Sequence, residues 1–229
     1  GVLRGLNVTL PFKEQALSLA SGLGDQVSDI ARLSGAANLV LFDADGTVRV
    51  DNTDGEGLLY AFARQAPSLN LTSAPVVILG AGGAARGAAA ALILAGVPRV
   101  HMVNRTFDKA QSIASALGPK VQAFDPTQAE AAFDGVGAVI NATSLGLGGG
   151  EGPAVPWQTV SGTAVFMDMV YKPLETDFLA KAKARGHQTV DGLDMLIGQA
   201  RPSFEAFFGA PPPASVDVRA LALAQLTAA

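Results

Sequence analysis

The chain contains no cysteine and only two histidines, His101 and His187, among its 229 residues. The absence of cysteine excludes disulfide bonds, thiolate nucleophiles and cysteine-based metal sites, and it permits a reducing compartment such as the cytoplasm. The two histidines lie far apart and lack the short spacing of a histidine metal site. We therefore expect no bound metal ion and a cytoplasmic location.

Strong charge of one sign and long apolar runs are also absent. Sixteen Lys and Arg against 20 Asp and Glu give a formal net charge of −4, which offers no attractive field to a polyanion. The most apolar window, residues 74–98, is interrupted by Pro75, residues 80–83 and Arg86 before it reaches the roughly 20 apolar residues of a membrane span. We expect neither nucleic acid nor a membrane among the partners.

Apolar residues, at 49%, and glycine, with 26 residues, are abundant, which suits a close-packed α/β protein. From residue 74 onwards short apolar strands alternate with helical stretches. This alternation predicts a Rossmann-type, doubly wound parallel sheet covered by helices on both faces. The predicted strands are 74–79, 99–103, 121–124, 137–141, 164–167 and 188–189, with a helix at 84–95.

The first fifty residues predict a smaller α/β unit. Two apolar runs, 39–42 and 47–50, flank a turn with an Asp-Gly pair and predict a hairpin. Thr53 and Glu56 match a capping box at the start of the next helix. An earlier helix, entered near Lys13, carries an apolar stripe that is expected to face a core. The stripe is Phe12, Ala16, Leu19, Ala20 and Leu23.

A glycine-rich segment after the strand at 74–79 matches the dinucleotide-binding pattern G-x-G-x-x-G/A. A side chain at either of the first two glycines would block the turn or the approach of a pyrophosphate. The N–H groups at the start of the following helix would bind the phosphates. We therefore expect a dinucleotide held by Gly80, Ala81, Gly82, Gly83 and Ala84.

The end of the next strand indicates which dinucleotide is bound. An NAD site usually has an acidic residue there for the ribose 2′-hydroxyl, but this chain reads Asn104-Arg105-Thr106. Arg105 would form charge-assisted hydrogen bonds with a 2′-phosphate, with Asn104 and Thr106 as neutral donors. NADP is therefore the predicted cofactor.

Several separated segments together resemble the shikimate dehydrogenase (shikimate/quinate dehydrogenase) family in order and spacing. The segments are 7–13, 35–38, 52–55, 80–86, 104–106, 141–146, 168–176 and 192–200. The resemblance implies a Rossmann domain beside a smaller α/β substrate domain. We place a partial substrate domain at 1–53, the NADP-binding domain at 54–191, and C-terminal helices that return to the substrate domain at 192–229.

The resemblance also implies an activity, the reversible NADPH-dependent reduction of 3-dehydroshikimate to shikimate. This reaction belongs to the chorismate pathway to aromatic amino acids, and the enzyme would be a monomer or homodimer. Lys13 and Asp54 would form the catalytic pair. A position near a helix N-terminus, which disfavours the ammonium form, suits an acid/base lysine. The implied substrate contacts are Thr9, Asn38, Asp54, Gln199 and Tyr171.

Further cofactor contacts are expected where two strands end. Thr143 and Ser144 follow one strand and Met169 follows another, at the edge where such sheets bind nucleotides. Gly192 and Met195 are also expected at the nicotinamide, although Met195 is equally compatible with a plain core position.

Two departures from the family pattern leave alternatives open. Family members carry a further N-terminal segment with a Ser-x-Ser element for the substrate carboxylate, so we expect the substrate domain to be incomplete at its N-terminus. Leu39 stands where the family usually has threonine. The alternatives are a quinate/shikimate dehydrogenase that uses NAD, and a non-catalytic NADP-binding fragment.

Overall fold

The computed structural model describes residues 3–9, 11–20, 22 and 26–228, and in this part of the chain the strands form two separate sheets. The smaller sheet is antiparallel, with its strands in the order β1-β2-β3. These are β1 (Gly5–Asn7), β2 (Leu39–Phe42) and β3 (Val48–Asp51). The predicted hairpin is confirmed, with Gly46 at a positive φ of 89° in the turn between β2 and β3.

Two helices, α1 (Lys13–Ala20) and α2 (Asp29–Ser34), pack against this sheet around a small core that includes Ala31 and Val50. The predicted apolar stripe of α1 is partly wrong. Phe12 and Leu19 are 56% and 86% exposed, because the helix turns Ala16, Leu17 and Ala20 towards the core instead. Leu23, the last residue of that stripe, lies outside the described residues.

The larger sheet is parallel, and six of its strands lie in the described part of the chain in the order β6-β5-β4-β7-β8-β9. The order reverses between the neighbours β4 and β7, so the doubly wound prediction is confirmed, and such a switch point is where these sheets bind ligands. The strands are β4 (Val76–Leu79), β5 (Val100–Val103), β6 (Val121–Phe124), β7 (Ala138–Asn141), β8 (Val165–Asp168) and β9 (Thr189–Val190).

Helices cover both faces of this sheet, so alternate residues of a strand enter opposite cores. Ile78 packs with Leu58, Leu92 and others on one face, whereas Val77 packs with Phe133 and others on the other face. The helices are α3 (Asp54–Gln65), α4 (Gly83–Leu94), α5 (Phe107–Leu117), α6 (Ala129–Phe133), α7 (Asp177–Lys183), α8 (Gly192–Phe208) and α9 (Val218–Ala228). No helix within the described ranges is long and apolar enough to cross a membrane.

Candidate active site

Lys13 and Asp54 form an ion pair although 41 positions separate them in the sequence. Nζ of Lys13 donates to Oδ2 of Asp54 at 2.6 Å, and the side chains are 21% and 20% exposed. Lys13 is the first residue of α1 and Asp54 the first of α3, so two helix N-termini meet here. The carboxylate of Asp54 therefore lies at the positive end of a helix, a favourable place for an acidic side chain. The predicted pair is thus assembled, with its charged atoms partly accessible.

Two buried asparagines hold Asp54 in place. Nδ2 of Asn38 donates to Oδ1 of Asp54 at 2.9 Å and to Oγ1 of Thr53 at 3.0 Å, and its Oδ1 accepts the Thr53 N–H. Oδ1 of Asn52 accepts the N–H of Asp54 at 3.0 Å. Because Asn38, Asn52 and Thr53 are buried, these bonds have little competition from water. Both carboxylate oxygens of Asp54 and its backbone are therefore oriented.

The capping-box prediction for Thr53 and Glu56 is wrong. Thr53 occupies the N-cap position of α3, but its side chain makes no capping hydrogen bond, since its hydroxyl is engaged with Asn38. Glu56 is an exposed residue of the first turn of α3, and desolvation by the surrounding protein raises the pKa of its carboxyl, with smaller contributions from Asp51 and Glu205. A long-range contact has replaced the local one that the spacing predicts.

A cavity of about 380 Å³ opens beside the Lys13–Asp54 pair. Thr9, Asn38 and Gln199, three of the predicted substrate contacts, line it together with Lys13, and Ser203 adds a further hydroxyl. Apolar side chains of α8 and α9 form much of the remaining wall: Leu193, Leu196, Ile197, Val218 and Ala222. Polar groups converging on a partly apolar cavity suit a small polyhydroxylated ligand.

Glycines bring Gln199 to this cavity, because they allow α3 and α8 to approach closely. A Cβ atom on Gly57 would lie within van der Waals overlap of the carbonyl oxygen of Met195 and 2.9 Å from the backbone nitrogen of Gln199. A Cβ on Gly198 would lie 2.7 Å from Cβ of Tyr60. Larger residues at these positions would hold the helices apart, so the two glycines set the distance between Asp54 and Gln199.

The glycine-rich loop has the shape that a phosphate requires. Gly80 has a positive φ of 114°, and a Cβ there would lie 3.1 Å from the carbonyl oxygen of Ala142. Gly82 is the N-cap residue of α4, whose start has no side-chain cap, and Cβ atoms at Gly82 and Gly83 would meet nothing within 4 Å. The start of α4, with Ala81 and Ala84 beside these glycines, thus borders open space where an anion fits.

A large cavity of about 720 Å³ lies over this loop. The predicted cofactor residues Gly80, Asn104, Arg105, Thr143 and Ser144 all line it. Arg105 is the second residue after β5, and the backbone carbonyl of Thr106 accepts a hydrogen bond from Nδ2 of Asn104 at 2.8 Å. The cavity therefore extends from Gly80, in the loop before α4, to Arg105 beyond the end of the adjacent strand, which is the arrangement expected of an NADP site.

A buried carboxylate, Asp168, connects the loops that follow β7 and β8. Its Oδ1 accepts hydrogen bonds from Nδ2 of Asn141 and the N–H of Val170, and its Oδ2 accepts from Oγ1 of Thr176 at 2.6 Å. Oδ1 of Asn141 in turn accepts from the N–H and hydroxyl of Thr143. Burial raises the pKa of Asp168, and the three donors oppose that rise. This network fixes both strand-end loops.

These loops line a smaller cavity of about 330 Å³. Its lining includes Thr143, Met169 and Tyr171, together with Ala84 of α4. Thr143 lines both this cavity and the larger one, so the two are adjacent. Tyr171 lines this smaller cavity and is not among the described residues that line the 380 Å³ cavity beside Lys13. Its contact with the substrate stays a prediction.

Two predicted cofactor residues on α8 have packing contacts. A Cβ on Gly192 would lie 2.6 Å from the carbonyl oxygen of Met169, so this glycine lets the start of α8 approach the end of β8. Met195 packs against the core on its face of the larger sheet. Among the described residues, no group of three His, Asp or Glu side chains could hold a metal ion.

Comparison with known proteins decides the family. Residues 61–146 match the family described as shikimate/quinate 5-dehydrogenase, and residues 192–222 match the shikimate 5′-dehydrogenase C-terminal domain. The chain is 57% identical over 223 residues to the shikimate dehydrogenase (NADP(+)) of Caulobacter vibrioides, covering 97% of this chain and 77% of that protein. It belongs to the shikimate dehydrogenase family.

Solved structures of this family share the fold. The shikimate 5-dehydrogenase of Thermus thermophilus, in complex with NADP(H) and shikimate, superposes with a TM-score of 0.76 at 36% identity, covering 93% of this chain and 76% of that one. The quinate dehydrogenase of Corynebacterium glutamicum, in complex with NAD, superposes with a TM-score of 0.82 at 32% identity, covering 93% and 75%.

Sequence reasoning missed several residues of this shikimate dehydrogenase family member. Asn52 and Asp168 lie inside segments that resemble the family, but no role was predicted for them. Their burial, which the structure shows, separates them from surface polar residues. Arg86 also lay in a motif, and its Nε donates to the carbonyl oxygen of Leu33 at the end of α2, at 3.0 Å. Gly57 and Gly198 were missed because a helix contact leaves no local sequence signal.

Proposed function

We propose that this chain is an NADP-dependent shikimate dehydrogenase that interconverts 3-dehydroshikimate and shikimate. The observation that carries the proposal is the Lys13–Asp54 pair, joined at 2.6 Å, whose lysine lines a cavity together with Thr9, Asn38 and Gln199. The 57% identity to a shikimate dehydrogenase (NADP(+)) supports the same substrate and cofactor. The chain is thus an oxidoreductase that acts on a CH–OH group.

In the direction of reduction, NADPH held in the neighbouring cavity would supply the hydride for the carbonyl carbon of 3-dehydroshikimate. Lys13, as the ammonium, donates a proton to the carbonyl oxygen, which becomes the hydroxyl of shikimate. In the reverse direction the neutral lysine amine accepts that proton. Asp54 orients Nζ of Lys13 through their direct hydrogen bond. Thr9, Asn38 and Gln199 position the hydroxyl groups of the ring.

The cofactor preference follows from Arg105. Arg105 is the second residue after β5 and lines the 720 Å³ cavity, where its guanidinium would pair with the 2′-phosphate of NADP. The first turn of α4 would bind the pyrophosphate through backbone N–H groups. The nicotinamide end would be surrounded by Thr143, Ser144, Met169 and Tyr171. This part of the site would be supported by Gly192, which lies close to the backbone of Met169, and by Met195, which packs against the core.

The direct test mixes the full chain with shikimate and NADP⁺ and follows absorbance at the reduced-nicotinamide band. Lys13→Ala should lower kcat by about 10²- to 10⁴-fold, the contribution typical of a positioned acid/base group. Lys120→Ala, at an exposed lysine far from the pair in sequence, is the matched control and should retain full activity. Binding of NADP without turnover of shikimate would favour the non-catalytic alternative.

The NAD-dependent quinate alternative makes a contrasting prediction. Leu39, which suggested it, is 3% exposed as the first residue of β2 and is not among the described residues that line the Lys13 cavity. Its side chain therefore offers little selection between quinate and shikimate. A rate with quinate and NAD⁺ that equals the rate with shikimate and NADP⁺ would establish the alternative.

We further propose that the enzyme acts in the chorismate pathway to aromatic amino acids, in the cytoplasm, as a monomer or homodimer. The identity to a shikimate dehydrogenase supports the pathway, and the absence of cysteine is compatible with a reducing compartment. Sedimentation velocity would determine the oligomeric state, and fractionation of cells would determine the compartment.

A further inference from the structure

Helix α9 is attached to the rest of the molecule by a cluster of charged groups. Nη1 and Nη2 of Arg219 donate to Oδ1 and Oδ2 of Asp191 at 3.0 and 2.6 Å, a bidentate pair. Nη1 of Arg219 also lies 3.1 Å from Oδ1 of Asp194. The side chains of Asp191 and Asp194 are 14% and 4% exposed. The one guanidinium group of Arg219 therefore pairs with two carboxylates that have little contact with solvent.

The same carboxylates organise the first turn of α8. Oδ1 of Asp191, the N-cap residue, accepts the N–H of Leu193 at 3.0 Å. Oδ2 of Asp194 accepts a hydrogen bond from Nε2 of Gln65, at the end of α3, and Oε1 of Gln65 accepts the N–H of Asp191. The cluster thus joins three helices: α3, which begins with Asp54; α8, which carries Gln199; and α9.

Helix α9 is also a wall of the Lys13 cavity. Val218 and Ala222, which lie one turn apart on either side of Arg219, line it. Three apolar side chains of α9 are half-buried and none of its described side chains, up to residue 226, is fully buried, so apolar packing alone holds the helix weakly. The start of α8 is held independently, because Gly192 and Leu193 are buried. Loss of Arg219 would therefore release α9 and leave α8 in place.

We propose that Arg219 is a positioning residue for substrate binding, which acts by holding α9 against the first turn of α8 so that Val218 and Ala222 close the cavity beside Lys13. The inference rests on the proposed function, since it assigns this cavity to shikimate. Arg219 acts through α9 and makes no contact with the reacting atoms. The two cavities assigned to the cofactor have no described lining residue from α9, so the effect is specific to the substrate.

The test is steady-state kinetics of Arg219→Gln in the full chain with shikimate and NADP⁺. We expect the KM for shikimate to rise about tenfold, the KM for NADP⁺ to change less than twofold and kcat to change less than threefold. A variant that merely folds less well loses Vmax in proportion to its unfolded fraction and keeps its KM, so KM separates positioning from stability.

Two further variants make the test decisive. Arg49→Gln breaks a matched bidentate pair with Asp43 in the β2–β3 hairpin, and it should leave both KM values unchanged. Arg219→Lys keeps the positive charge but loses the guanidinium group that bridges both carboxylates. It should therefore give an intermediate KM for shikimate. This variant decides the question if Arg219→Gln does not fold.

An unchanged KM for shikimate in a folded Arg219 variant, or an equal rise in both KM values, would overturn the role of Arg219. Wild-type protein that fails to oxidise shikimate would instead overturn the proposed function, so the two failures are distinguishable.

Discussion

Replacing Gly57 with alanine should separate the two halves of the candidate active site. The new Cβ would overlap the carbonyl oxygen of Met195 and lie 2.9 Å from the nitrogen of Gln199. Both atoms belong to the backbone of α8, so no side-chain rotation relieves the contact, and ordinary packing requires the helices to move apart by about 1 Å. Overpacking of this kind costs about 1–3 kcal/mol.

The same displacement carries Gln199 away from Lys13 and Asp54. A misplacement of about 1 Å can cost on the order of 10²-fold in rate, so kcat/KM for shikimate should fall by about that factor. The assay is shikimate oxidation with NADP⁺, together with urea unfolding followed by circular dichroism. Gly57→Ala should lower both the rate and the free energy of unfolding.

Gly87→Ala is the matched control for this prediction. Gly87 also lies inside a helix and is buried, but the nearest atom to its Cβ would be Cβ of Ser34 at 3.9 Å. It should leave activity unchanged and stabilise the protein by up to about 1 kcal/mol through helix propensity. A folded Gly57→Ala protein with kcat/KM within threefold of wild type would refute the argument that the α3–α8 distance positions Gln199.

Two further substitutions test the cofactor side. Arg105→Ala should raise the KM for NADP⁺ about 10- to 100-fold, since hydrogen bonds to a charged group contribute about 1.5–3 kcal/mol. Arg99→Ala, at an exposed position before β5, is the control. An unchanged KM for NADP⁺ in Arg105→Ala would contradict the assignment. Asp168→Asn should remove a pH dependence of stability: burial raises the pKa of Asp168 in the folded state, so wild type binds a proton more readily when folded. Its free energy of unfolding should therefore rise relative to that of Asp168→Asn as the pH falls through this raised pKa towards the unfolded value of about 3.9. Urea unfolding of both proteins at several pH values measures this difference, and parallel curves would count against a raised pKa.

The sequence by itself determined the Rossmann fold and the cofactor loop, because both have local signals. Buried parallel strands read as continuous apolar runs, and the positive φ of Gly80 is a property that one residue type satisfies without strain. The choice of NADP was equally local, since Arg105 lies just beyond the end of β5, where an acidic residue would favour NAD.

Only the tertiary structure decided which side chains meet. Periodicity placed Leu19 in a core, yet it is 86% exposed, and spacing gave Thr53 a local cap, yet its hydroxyl bonds to Asn38. The local sequence pattern does not show whether a side chain will contact a nearby residue or one that is distant in the sequence. The attachment of α9 through Arg219 and Asp191, 28 positions apart, exists only because packing brings the start of α8 beside the last helix.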